Sequence, residues 1–222
     1  GHLQWHFRNR GGVPSEPILR AFHNIQEMNA VLLAERELAR DQTGKPVTRL
    51  DDKGRPEETY TYKKPRRPEW PAADFIVGNP PFIGGKDIRA RLPGGYAEAL
   101  WAAHPHMNES ADFVMYWWDR AAELLTRKGT VLRRFGLVTT NSISQVFQRR
   151  VMERHFNGRI PLSLVMAIPD HPWTKAGKDA AAVRIAMTVA AAGRSAGRLR
   201  EVTREEALDT DTPIVELSEQ VG

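Results

Sequence analysis

The chain has no cysteine in its 222 residues. Disulfides, thiolate metal ligands and a cysteine nucleophile are therefore excluded, and a reducing, cytoplasmic setting fits. No apolar run approaches the roughly 18 residues that cross a bilayer, so no membrane partner is expected. The opening "GHLQWHFRNR" is polar and basic, unlike a signal peptide, and lacks an initiator Met, as expected of a chain that begins within a longer protein. No internal repeat is visible. No His-x-x-x-His pair or carboxylate triad accompanies His104, His106 and His171, so they point to no metal. Ser142 and His155 have no Asp at motif spacing, which argues against serine-hydrolase chemistry.

What is present is ordinary for a globular protein: 41% hydrophobic and 27% charged residues. A net charge of +5 favours polyanionic partners modestly. Residues 18–33, "ILRAFHNIQEMNAVLL", are apolar enough for core, with a short strand near Phe22 to Ile25. Residues 36–70 are polar and rich in Pro, Gly and charge. They read as an insertion that holds a small hairpin.

"DFIVG", 74–78, fits a short, fully buried strand. A glycine-rich loop follows from Gly84 to Gly95. "SADFVMYWWDRAAELLTRKG" reads as a helix with Phe113, Val114, Trp117, Ala121, Leu124 and Leu125 on its inner face and Trp118 beside it. Ser110 is the expected N-cap, Gly129 the expected stop, and Asp112 a partner of the helix dipole. Then come a strand at Phe135 to Thr139, a helix "SQVFQRRVMERHF", a strand "LSLVMAI" and a strand "AAAVRIAMTVAAA". Strand, helix, strand, helix, strand, strand implies an α/β sheet with helices on both faces and an antiparallel hairpin at one edge.

Asn79, Pro80, Pro81 and Phe82 lie where the first of these strands ends, the edge at which α/β sheets bind ligands. Proline cannot donate to a ladder and fixes φ, so the pair stops the strand and holds the loop. The Pro80 carbonyl and the Asn79 side-chain oxygen become two rigid acceptors, suited to the two hydrogens of an amino group. An amine held in this way becomes more tetrahedral and can attack an electrophilic methyl by positioning and electrostatics alone. Phe82 offers a flat face for a ring, and a base in duplex DNA would have to flip out to reach it.

Asn-Pro-Pro-Phe resembles the catalytic motif of the amino-methyltransferase family of class I S-adenosylmethionine (SAM)-dependent enzymes, in the form typical of DNA adenine-N6 methyltransferases. More narrowly, "EPILRAFHNIQEMNAVL", "EWPAADFIVGNPPFIGGK", "ESADFVMYWWDRAAELL", "FGLVTTNSI" and "IPDHPWTKAGKDAAAVRIAMT" resemble the methyltransferase domain of MmeI-like type II restriction–modification enzymes, over residues 14–192. The resemblance implies a partial Rossmann-like sheet, SAM as cofactor and double-stranded DNA as partner. It implies that Asn79 and Pro80 hold the target amine, that Phe82 stacks on the adenine, and that Asn141 and Ser142 wall the base pocket. Asn29 stands where the family usually carries an Asp that contacts the adenine of SAM.

The family's glycine-rich SAM loop is missing: Gly11-Gly12, Gly84-Gly85 and Gly94-Gly95 lack the strand–turn–helix context. The expected chain is thus a fragment without the first two strands of the parent sheet. In it, 1–35 is a remnant of the methyltransferase core, 36–70 the insertion, 71–192 the catalytic part, and 193–222 a tail or the start of a target-recognition domain. Lys63, Lys64, Arg66 and Arg67, with Arg149 and Arg150, are the candidate phosphate contacts. RNA adenine or protein-glutamine methylation, and an inactive DNA-binding fragment, stand as alternatives.

Overall fold

The computed structural model describes residues 26–173, 183–208 and 213–222, so the strand expected near Phe22 to Ile25 lies outside the described residues. The polar segment 36–70 folds into two nested antiparallel pairs. β1 (Leu33–Leu38) pairs with β4 (Tyr60–Arg66), and β2 (Thr48–Leu50) with β3 (Pro56–Glu58). Two Asx turns set the reversals. Asp41 Oδ1 accepts the Thr43 and Lys45 N–H groups, and Asp51 Oδ1 those of Lys53 and Arg55. Each turn closes with a glycine at positive φ, Gly44 at +82° and Gly54 at +73°.

A six-stranded sheet follows, in the order β10-β9-β7-β8-β6-β5. Its members are β5 (Phe75–Gly78), β6 (Arg134–Thr140), β7 (Leu162–Pro172), β8 (Arg184–Ala192), β9 (Arg198–Glu206) and β10 (Ile214–Val221). β5 and β6 are parallel, and the crossover between them carries α1 (Ile88–Arg91), α2 (Tyr96–Ala103) and α3 (Met115–Thr126). α4 (Val146–Phe156) joins β6 to β7. β8 runs antiparallel to both β6 and β7, so β5, β6 and β7 all point the same way.

The core lies on the sheet face covered by α3 and α4, and α2 joins it while packing against β4. Trp118 is fully buried there, edge-on to Phe135 at 5.2 Å and to Phe156 at 6.1 Å. Trp118, with Met115, Ala122 and Leu125, marks the centre of the buried stripe, whereas Trp117 is half-buried against Phe113. Of the expected inner face, Phe113, Val114, Ala121 and Leu125 are buried, whereas Trp117 and Leu124 are half-buried and Trp118 is the tryptophan of the core. The helix itself begins at Met115, and neither Ser110 nor any other side chain caps it.

β5 corrects a second expectation. Among the described residues it is an edge strand with β6 as its one neighbour, and Val77 is 88% exposed. The opposite sheet face presents Phe75, Val77, Val138, Met187 and Val189 as an open apolar groove of about 270 Å³. The helices expected on that face are not among the described residues. The β7/β8 hairpin is interior rather than at an edge. β9 adds parallel to the outer side of β7 through Met166 and Ala167, and β10 pairs with β9, so these two strands of the tail extend the same sheet. The unpaired outer edge of β7 is what the tail satisfies.

Candidate active site

Three strands end at the same edge of the sheet, β5 and β6 as neighbours and β7 beyond the antiparallel β8. Because β5, β6 and β7 share a direction, their carboxyl ends bring together Asn79–Phe82, the helical turn Asn141–Ser144 and the Asp170–Trp173 segment. Asn141 Nδ2 donates to Asp170 Oδ1 at 3.3 Å, joining the second group to the third. Phe82 and Trp173 meet edge to face with centroids 6.4 Å apart, joining the first to the third. Both rings keep partial exposure, as ring faces free for a further planar group must.

Within the first group Pro80 is buried between exposed Asn79 and Pro81, and Phe82 is half-buried. Among the described residues, no hydrogen bond reaches the Asn79 side chain or the Pro80 carbonyl. The loop leaving Phe82 is pinned twice: the Phe113 N–H donates to the Ile83 carbonyl at 2.9 Å, and the Gly85 N–H to Asp112 Oδ1 at 2.9 Å. Ser142 and Thr140 direct their hydroxyls at the other oxygen of Asp112. Asp112 is therefore more than a dipole partner at a helix start. Neither it nor Trp173 was singled out as a site residue from the sequence. Only "PDHPW" at a strand end hinted at the Trp.

The remaining candidates lie elsewhere. Asn29 Oδ1 accepts the Val31 and Leu32 N–H groups at 3.0 and 2.9 Å, and its amide donates to Tyr96 Oη at 2.8 Å. Burial pushes the Tyr96 hydroxyl up to about 12, which keeps it neutral as the acceptor. The Asn29 oxygen thus holds a local turn. Lys63 pairs with Glu37 at 2.6 Å, Lys64 with Glu35 at 3.2 Å, and Arg67 with Glu123 at 2.6 Å. Arg66 is exposed at the end of β4. Arg149 and Arg150 are exposed on α4, which starts directly after the Asn141–Ser144 turn. Arg149 lies 3.7 Å from Glu153, and Arg150 has no ion-pair partner among the described residues.

The glycine pairs are explained by packing. A Cβ on Gly85 would meet the Ser110 carbonyl oxygen at 2.1 Å, and one on Gly95 the Tyr60 carbonyl oxygen at 2.0 Å. Gly11 and Gly12 lie outside the described residues. Ligand atoms of His104, His106 and Asp119 lie within 4.8 Å of one another, a group that sequence spacing does not reveal. Asp119 is fully buried and fully engaged: His106 bonds Oδ2 at 2.7 Å, while His155 at 2.8 Å and the Arg154 guanidinium share Oδ1. Arg154 already supplies the cation, so the cluster reads as a polar anchor of α4 on α3. No described helix is long and apolar enough to cross a membrane.

No functionally curated protein matches the chain. Among solved structures, the type IIL restriction-modification enzyme MmeI in complex with DNA is 22% identical at a TM-score of 0.45, over 65% of this chain and 18% of that one. A modification subunit of a putative type I restriction enzyme from Vibrio vulnificus YJ016 is 17% identical at 0.43, over 61% and 26%. This chain thus spans about a quarter or less of the length of either. The sequence model described as "MmeI, DNA-methyltransferase domain" matches residues 14–200, most of the chain, and the chain belongs to that family.

Proposed function

We propose that this chain supplies the target-amine half of a DNA adenine-N6 methyltransferase of the restriction–modification type. The observation that carries the reading is the pair of unengaged acceptors, the Asn79 side chain and the Pro80 carbonyl, beside the half-exposed Phe82 ring at the ends of three co-directional strands. Two acceptors and one ring face match an amino group on a flipped base. Each acceptor takes one amine hydrogen in the substrate. The methylated product keeps one hydrogen, so one of the two bonds is lost and release is favoured. Trp173 packs edge to face with Phe82 and so sets a second aromatic beside the ring on which the base would stack.

SAM is the methyl donor of the reading. The described residues do not fit it: the Asn29 oxygen is taken up by two backbone N–H groups, and Gly85 and Gly95 sit against carbonyls. The role of this chain is to capture and orient the amine. DNA as partner is supported by family membership and by the exposed Arg149 and Arg150 on the helix that follows the Asn141–Ser144 turn.

The test is product analysis. The complete protein is given tritiated SAM with duplex DNA, RNA or protein, and the labelled product is hydrolysed and identified. N6-methyladenine from DNA is expected. Label confined to RNA or to glutamine would move the same site to one of the alternative substrates.

A further inference from the structure

We propose that Asp112 is a positioning residue that holds two walls of the target pocket in register, an inference that rests on the function proposed above. Asp112 is 9% exposed, and it has no ion-pair partner among the described residues. Its carboxylate is instead divided between two loops. Oδ1 accepts the Gly85 N–H at 2.9 Å, in the loop that leaves Phe82. Oδ2 accepts Ser142 Oγ, and Thr140 Oγ1 at 3.4 Å, at the end of β6. Thr140 Oγ1 and Ser142 Oγ also lie 2.6 Å apart, so the two hydroxyls and Oδ2 form one compact cluster.

Stability alone does not call for a charge at this point. Burying a carboxylate without a cation is costly even when its oxygens are hydrogen-bonded. What the carboxylate does supply is acceptor capacity in two directions at once. The neighbouring Phe113 N–H holds Ile83, and Gly85 has no room for a Cβ against Ser110. The loop following Asn79–Phe82 is therefore seated directly on residues 110–113. Through Asp112 that seat is tied to the turn bearing Asn141 and Ser142. Asp112 touches neither base nor donor in this arrangement. Its effect passes through the placement of Asn79 and Phe82, where a shift of about 1 Å costs on the order of a hundredfold in rate.

The two obvious substitutions separate positioning from charge. Asp112→Ala leaves the Gly85 N–H without its acceptor and uncouples the loops. Asp112→Asn keeps an oxygen for Gly85 and turns an NH2 toward Ser142 and Thr140, whose hydroxyls can accept. In the complete protein, single-turnover methyl transfer to duplex DNA should fall about ten- to a hundredfold in kcat for Asp112→Ala, with KM for DNA changed far less. Asp112→Asn should recover most of that loss.

The Thr140→Val/Ser142→Ala double variant cuts the same tie from the other side. It keeps the falsifying power should Asp112→Ala fold poorly: a lower kcat at unchanged melting temperature is expected. Wild-type kcat in Asp112→Ala, equal loss in the Asn and Ala variants, or wild-type kcat in the double variant would each overturn the inference. If the wild-type protein itself transfers no methyl group to DNA, the proposed function fails instead.

Discussion

Trp173 stands edge-on to Phe82, with ring centroids 6.4 Å apart and planes at 84°. The two aromatics come from opposite ends of the catalytic region, one after β5 and one after β7, and the shared direction of those strands is what brings them together. If they form one slot for a base, they should act together. Phe82→Ala should weaken binding of the extruded base by about 1–3 kcal/mol, the range for stacking on an aromatic side chain. Trp173→Ala should cost less, and the double variant should cost less than the two combined, because the edge-to-face pair is broken once. Fluorescence of a 2-aminopurine at the target position measures this. Strict additivity would show that the rings act separately.

Asp119 makes stability sensitive to acid. Burial opposes its charge, but hydrogen bonds from His106 and His155 and the Arg154 guanidinium outweigh burial and hold the carboxyl well below the usual range. A group whose pKa is lower folded than unfolded stabilises the fold above its unfolded value of about 3.9 and loses that contribution as pH falls below it. Asp119→Asn should be less stable at neutral pH by about 1–3 kcal/mol, since an amide offers one acceptor oxygen where His106, His155 and Arg154 use both carboxylate oxygens. Its melting temperature should also fall less steeply below pH 4 than that of the wild type. Parallel acid limbs in the two proteins would contradict the assignment.

Much of this was legible because it is local. Asn79 to Phe82 could be read as a strand stop with two acceptors because proline geometry needs no partner to define it. The hairpin within residues 36–70 was legible from its Pro, Gly and charge content, whereas the Asx turns at Asp41 and Asp51 that build it emerge in the structure. What could not be read depends on distant packing. Asp112 looked like a helix-start acid because its partners, Gly85, Thr140 and Ser142, lie on other segments. Trp118 rather than Trp117 is the core residue because α3 is buried on two sides, by the sheet and by α4 with the His106 segment, which widens and rotates its inner face. "DFIVG" has the composition of a central strand, yet here it sits at an edge. Composition reports what a strand can be buried against, not the neighbours it has in this chain.

Arg149 and Arg150 should carry a share of the DNA affinity. Both are exposed on the first turns of α4, which follows the Asn141–Ser144 turn, and Arg150 has no ion-pair partner among the described residues. Lys63, Lys64 and Arg67 are already matched by carboxylates. Reversing Arg149 and Arg150 to Glu should lower the slope of log K against log salt by up to about 2, roughly 0.9 for each phosphate no longer neutralised. Reversing Lys63 and Lys64 should change it less. Equal slopes in the wild-type and Arg149/Arg150 proteins would remove α4 from the DNA surface.

The central claim is that the Asn79 oxygen and the Pro80 carbonyl grip the target amine. Its most direct measurement is N6-methyladenine formed in duplex DNA by the complete protein and by its Asn79→Ala variant, with melting temperatures recorded for both. Removing an acceptor that acts on the reacting amine should lower methyl transfer by at least about a hundredfold, comparable to loss of a preorganised donor in other active sites, with folding unchanged. Methyl transfer at the wild-type rate by a folded Asn79→Ala protein would contradict it.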